Sequence, residues 1–143
     1  MLQLKPRKRL NKMMVYLVED SPVIRERLRD MVLELDPGAR VIEASSASEA
    51  IAGIVEMQPD LVVLDLKLAG ASGLEVLRET DGKLPANRVI VFTSQASQPY
   101  RKKCMAMGAA GFFDKAQDFE RVRDVVRQMS SSALAATDNG ENR

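Results

Sequence analysis

Five side chains with chemical potential stand at or just beyond the ends of short apolar runs in this chain. Met13 to Val18 leads into Glu19 and Asp20, Leu61 to Leu64 into Asp65, Arg88 to Phe92 into Thr93, with the small Ser94 behind it, and Gly111 to Phe113 towards Lys115. Three carboxylates gathered within a few ångströms repel one another, so either one stays protonated or a cation sits between them. Hard oxygen ligands suit Mg²⁺ or the similar Mn²⁺, and Mg²⁺ binds through one or two carboxylates while keeping sites for water and phosphate oxygens. A carboxylate can then attack phosphorus and form an aspartyl-phosphate, provided metal and ammonium neutralise the charge gathering on the transferring group. Asp65 is the expected acceptor, Asp20 and Glu19 the metal-holding pair, and Lys115 the partner of a phosphoryl oxygen. The Thr93 hydroxyl is expected to bond another. No Walker glycine loop and no GxGxxG follows the first apolar run, so the phosphate has to arrive on a carrier other than a bound nucleotide.

These residues need a scaffold that brings distant stretches to one rim. Short β-branched runs alternate with segments of helical period, the pattern of a parallel sheet covered by helices. Strands are expected at Met13–Val18, Arg40–Ala44, Leu61–Leu64, Arg88–Ser94 and Gly111–Phe113. Leu61–Leu64 is apolar throughout and belongs at the centre. Helices are expected from Ser21, as N-cap, with Pro22 at the first position and Ile24, Leu28, Met31 and Leu35 on one face, then over about Ser48–Met57, Leu74–Glu79, Gln98–Met107 and Phe119–Met129. Asp36, Pro37 and Gly38 end the first, and a polar loop with Asp81, Gly82 and Pro85 follows the third. In such a sheet ligands bind beyond the carboxyl ends of the strands, where the five reactive residues fall.

Composition bounds the rest. The 143 residues suit one domain with one core, and 45% apolar with 29% charged residues is ordinary globular composition. A formal net charge of +1 argues against a general nucleic-acid binder. Cys104 is alone, so no disulfide can form within the chain. Residues 1–12 form a basic arm with Lys5, Arg7, Lys8, Arg9 and Lys12, expected to be solvated and flexible, and residues 130–143 form a small polar tail expected to be disordered. The apolar stretch after the arm ends at Glu19, too short for a signal peptide or a membrane span, so a soluble cytoplasmic protein is expected.

The motifs VED (Val18–Asp20), VVLDLKLAGASG (Val62–Gly73), VFTS (Val91–Ser94) and GFFDK (Gly111–Lys115) follow in order on successive strand ends. On these, the chain from about Met14 to Met129 resembles the receiver domains of two-component response regulators. The resemblance implies a flavodoxin-like, doubly wound α/β fold, a five-stranded parallel sheet in the order 2-1-3-4-5 between layers of helices. It implies phosphorylation of Asp65 from a phosphohistidine on a sensor kinase or phosphotransfer protein. Mg²⁺ would be held by Asp20, Asp65 and the Lys67 backbone carbonyl, with Glu19 acting through water. Thr93 and Phe112 match a coupled hydroxyl-and-aromatic switch, and Lys67, Ser94 and Gln95 match positions of access and of dephosphorylation tuning. The family catalyses only its own phosphorylation and dephosphorylation, and often dimerises or binds targets through the fourth and fifth helices and the strand between them, here Gln98 to Met129. No output domain is expected within residues 130–143, so the signal would pass by protein contact.

Three positions depart from the pattern: Phe112 stands where tyrosine is usual, Ala69 where the loop commonly has proline, and Ala116 where proline commonly follows the lysine. The last predicts a less rigidly held Lys115. Each site residue also has a plain structural role open to it, as a helix cap, turn residue or solvated charge. It is their coincidence on successive strand ends that favours chemistry. Cys104, Met105 and Met107 serve either as core or as an adaptable surface, and one of the adjacent Phe112 and Phe113 must be core. A degenerate receiver working without phosphate is the alternative, opposed by intact Asp20, Asp65, Thr93 and Lys115. A haloacid-dehalogenase-type phosphatase would want an aspartate at Lys67, and Glu19-Asp20 would repel the phosphate of a flavodoxin-like carrier.

Overall fold

A computed structural model describes residues 12–84 and 88–141. The first strand, β1 (Met14–Val18), runs parallel to β2 (Arg40–Ala44) on one side and β3 (Leu61–Leu64) on the other. Beyond β3 lie β4 (Val89–Thr93) and then β5 (Gly111–Asp114), so the order is β2-β1-β3-β4-β5, all parallel. This is the doubly wound, flavodoxin-like arrangement expected from the sequence. Every residue of β3 is buried, as its unbroken apolar run requires.

Helices α1 (Pro22–Leu35), α2 (Ala47–Met57), α3 (Gly73–Thr80), α4 (Gln98–Ala106) and α5 (Phe119–Glu141) fill the crossovers. Serine side chains cap the first three: Ser21 accepts from Ile24, Ser46 from Glu49 and Ser72 from Leu74. The Glu49 carboxylate in turn accepts from the Ser45 N–H, so both sides of that helix start are satisfied. Two apolar cores lie on opposite faces of the sheet. One gathers Tyr16, Ile54, Val62, Leu64, Val91, Cys104 and Phe112, and the other Leu17, Leu28, Val63, Phe92, Phe113, Val122 and Met129. The strands alternate between them because neighbouring strand residues point to opposite faces.

Two features differ from expectation. The stretch after Asp65 folds into a small antiparallel pair, Lys67–Leu68 with Ala71–Ser72, turning on Gly70 at φ 77°. The chain from Ser130 is helical to Glu141 instead of irregular. Alanine and leucine favour helix, and a helix already nucleated upstream is extended at the gain of one backbone bond per residue. The N-terminal arm up to residue 11 and Pro85 of the polar loop lie outside the described residues. Among the described residues no helix is long and apolar enough to cross a membrane.

Candidate functional site

The register of the central strands brings the acidic residues together. Val18 of β1 lies beside Leu64 of β3, and the Asp65 N–H donates to the Val18 carbonyl at 2.9 Å, so Glu19 and Asp65 leave the sheet side by side. The Glu19 N–H donates to Ala44 O on the other flank. Glu19 is 2% exposed and Asp65 3%, whereas Asp20 faces solvent. Each of the three offers an oxygen within 4.8 Å of the others. Opposite ligands of an octahedral Mg²⁺ are roughly 4.2 Å apart, since each bond is about 2.1 Å. The carboxylates are thus near the spacing of a hard dication's ligands, with room for one to act through water.

Lys115 enters from the end of β5. Its Nζ lies 2.6 Å from Glu19 Oε1 and 2.8 Å from Asp65 Oδ2, taking one oxygen of each buried carboxylate. The second oxygens are engaged by main chain: Glu19 Oε2 accepts from Ser21 N–H and Asp65 Oδ1 from Lys67 N–H. One ammonium leaves two of the three negative charges uncompensated when all are ionised, a donor set that favours a divalent cation. Burial raises the Glu19 carboxyl above its usual range, and its bonds to Lys115 and Ser21 only partly offset this. For Lys115, burial works against the ammonium, but bonding to Asp65 and Glu19 outweighs it and the pKa rises.

Thr93, fully buried, ends β4 on the same rim. Its hydroxyl oxygen accepts from Gln95 N–H, and its carbonyl accepts from Lys115 N–H at 3.0 Å, so the threonine and the lysine share one backbone connection. Ser94, Gln95 and Lys67 are exposed around the rim. Phe112 is 3% exposed, with the Arg101 guanidinium 4.9 Å from its ring centroid and bonded to its carbonyl. Both adjacent phenylalanines are core, one on each face.

The family model of the response regulator receiver domain matches residues 15–127. This chain belongs to that family. Among curated relatives, the receiver is 36% identical over 115 residues to the transcriptional activator protein ExaE of Pseudomonas putida, which covers 80% of this chain and 54% of that protein. It is 35% identical over 102 residues to the DNA-binding transcriptional activator DevR/DosR of Mycobacterium tuberculosis, 71% of this chain and 46% of that one. The receiver therefore spans about half the length of these relatives. Among solved structures, the signal receiver domain of a putative Luxo repressor protein from Vibrio parahaemolyticus superposes with a TM-score of 0.73 at 26% identity, covering 88% of this chain and 96% of that one. The receiver domain of a sensor histidine kinase from Pseudomonas aeruginosa shares the fold with a TM-score of 0.69 at 22% identity, covering 82% and 97% of the two chains; that structure has a magnesium ion coordinated in its active-site cleft.

The receiver's rim holds Glu19, Asp20, Asp65, Thr93 and Lys115 together. Against the expected looseness of Lys115 stand several bonds. Besides its two ion pairs, the following turn is closed by Ala116 N–H to Asp114 Oδ1 at 2.8 Å, a bond proline lacks, and by Asp114 N–H to Asp118 Oδ2 at 2.9 Å. Glu19, expected near the metal alone, also grips the lysine. Cys104 is inert core: burial pushes its thiol up to about 11. Met107 packs on that core, while Met105 is exposed. Two contributors were not singled out for these roles in the sequence. Gly73 lets α3 approach the Asp65 backbone, and Arg25 bonds the Glu19 carbonyl; each depends on a neighbour far along the chain.

Proposed function

We propose that this receiver accepts a phosphoryl group on Asp65 from a phosphohistidine of a sensor kinase or phosphotransfer protein, and signals by protein contact. The observation that carries this reading is the Lys115 ammonium held between Asp65 and Glu19, beside an exposed Asp20 carboxylate. In the transfer an Asp65 carboxylate oxygen bonds to phosphorus as the P–N bond to the donor imidazole breaks. The electron pair leaves with the imidazole nitrogen, which is then protonated. Asp20, Asp65 and the Lys67 carbonyl would hold Mg²⁺ or Mn²⁺, with Glu19 acting through water, and the bound ion would supply neutralising charge for the phosphoryl oxygens. Lys115, preset by two carboxylates, pairs with a phosphoryl oxygen without having to be recruited from solvent.

After transfer, the Thr93 hydroxyl turns to a phosphoryl oxygen and Phe112 repacks. With no hydroxyl on that ring, the change is one of packing. Exposed Lys67, Ser94 and Gln95 line the path of the attacking water and tune phosphate loss. The receiver thus acts chemically only on itself, in the cytoplasm, and its output surface is α4, β5 and α5, used for a target or a second copy.

Phosphoramidate, whose P–N bond imitates the donor, tests the reading. With Mg²⁺ the intact mass of the protein should rise by one phosphoryl group, and neither Asp65→Asn nor metal-free protein should gain it. Equal labelling of Asp65→Asn would remove Asp65 from its role.

A further inference from the structure

The three carboxylates are not held in the same way. Glu19 is fixed by Lys115 and the Ser21 N–H, and Asp65 by Lys115 and the Lys67 N–H. Among the described residues the Asp20 carboxylate has no hydrogen-bonding or ion-pair partner. Its position is set by the backbone that carries it, the peptide joining Glu19 to Asp20. One side chain grips that peptide: Arg25, a turn into α1, donates from Nη1 to the Glu19 carbonyl at 2.8 Å.

We infer that Arg25 is a positioning residue for the divalent-cation site, orienting Asp20 through the Glu19 carbonyl. The inference rests on the reading of the acidic rim as a metal site. A free guanidinium beside such a site would repel the cation it serves. Here the charge is answered by Glu43 of β2, whose Oε1 lies 2.9 Å from Arg25 Nε. Arg25 thus reaches the peptide as a directed donor with most of its field cancelled. The side chain is 20% exposed, so the bonds are partly shielded from water. Glu43 is fastened a second time by Arg29, one turn along α1, which fixes the anchor without touching Glu19.

That geometry supplies its own control. Arg25→Ala and Arg29→Ala each remove one ion pair to Glu43, but only the first frees the Glu19–Asp20 peptide. Free Mn²⁺ is counted by electron paramagnetic resonance during titration of the unphosphorylated protein, with thermal melting recorded for each variant. Arg25→Ala should bind Mn²⁺ about ten-fold more weakly than wild type, the low end of what removing an outer-shell partner costs. Arg25→Lys, which can make one of the two bonds, should fall between. Arg29→Ala should stay within about two-fold, as expected for a partly exposed pair. Equal weakening in the two alanine variants, or wild-type affinity in a folded Arg25→Ala, would overturn the inference while leaving the metal site standing. A wild-type protein that binds no Mn²⁺ would remove the site and the inference together.

Discussion

Gly73 packs so tightly on Asp65 that a β-carbon added to it would stand 2.2 Å from the Asp65 carbonyl oxygen. The Gly73 N–H also donates to Leu66 O at 2.7 Å, stitching the start of α3 to the loop that carries the acceptor. Because the clash is with main chain, no side-chain rotation relieves it. Gly73→Ala should lower stability by roughly 2 kcal/mol, the scale of overpacking a closed site. It should also blunt the response to Mg²⁺, since the backbone that must move bears Asp65. Urea denaturation with and without the metal checks both, and an unchanged midpoint would refute the close approach.

Lys115→Met should expose the electrostatic strain of the rim as a pH effect. Glu19 has a carboxyl raised by burial, so its favourable contribution is present in acid and is lost as pH rises through its folded-state value. In wild type Lys115 opposes that loss, and its own raised pKa keeps the ammonium until beyond the ordinary lysine range. Without it, the buried Glu19 carboxyl must ionise beside Asp65 with no cation in reach. The variant's deficit should be smallest in acid, where Glu19 is protonated, and grow to about 2 to 3 kcal/mol near pH 7, below the full cost of a broken buried pair because Lys115 is 18% exposed. Melting curves across that window decide, and a constant deficit at all pH values would contradict it.

Asp20→Asn should separate folding from metal binding. Removing one of three mutually repelling carboxylates relieves about 1 kcal/mol in metal-free protein, given the exposure of Asp20. Wild type should gain about 1.4 kcal/mol when free Mg²⁺ stands about ten-fold above its dissociation constant. The variant should melt higher than wild type in chelator and show no such gain. A lower melting temperature in chelator would mean that Asp20 has a structural partner.

Local signals were legible in the sequence because their physics is local. Ser21-Pro22 starts α1 and Asp36 ends it at Val32 O through its own N–H, as capping chemistry dictates. The four apolar residues of β3 announced its burial, and the acidic residues lay at strand ends where the sheet delivers them to one rim. What escaped depends on partners distant in the chain. The second role of Glu19 needs Lys115 from β5, the role of Arg25 needs Glu43 from β2, and the need for glycine at 73 appears only when α3 meets Asp65. The pairing around Gly70 involves two residues a side, too few to leave a period. The extension of α5 to Glu141 escaped because the stretch after Ser130 has no apolar periodicity in the sequence, whereas propagating a helix needs only one further backbone bond per residue.

The separation of Phe112 and Phe113 into opposite cores divides mechanical labour within the molecule. If Phe112 repacks as proposed, the motion would be felt by Cys104, Tyr100 and Met107, which share its core in the layer formed by α2, α3 and α4. The sheet screens the opposite layer, where Phe92 and Phe119 pack with α1 and α5 and Arg27 closes over the Phe119 ring at 3.8 Å. On the proposed reading one half of the domain would yield while the other kept its shape, and a displacement begun at the rim would reach α4 without being dissipated throughout the body.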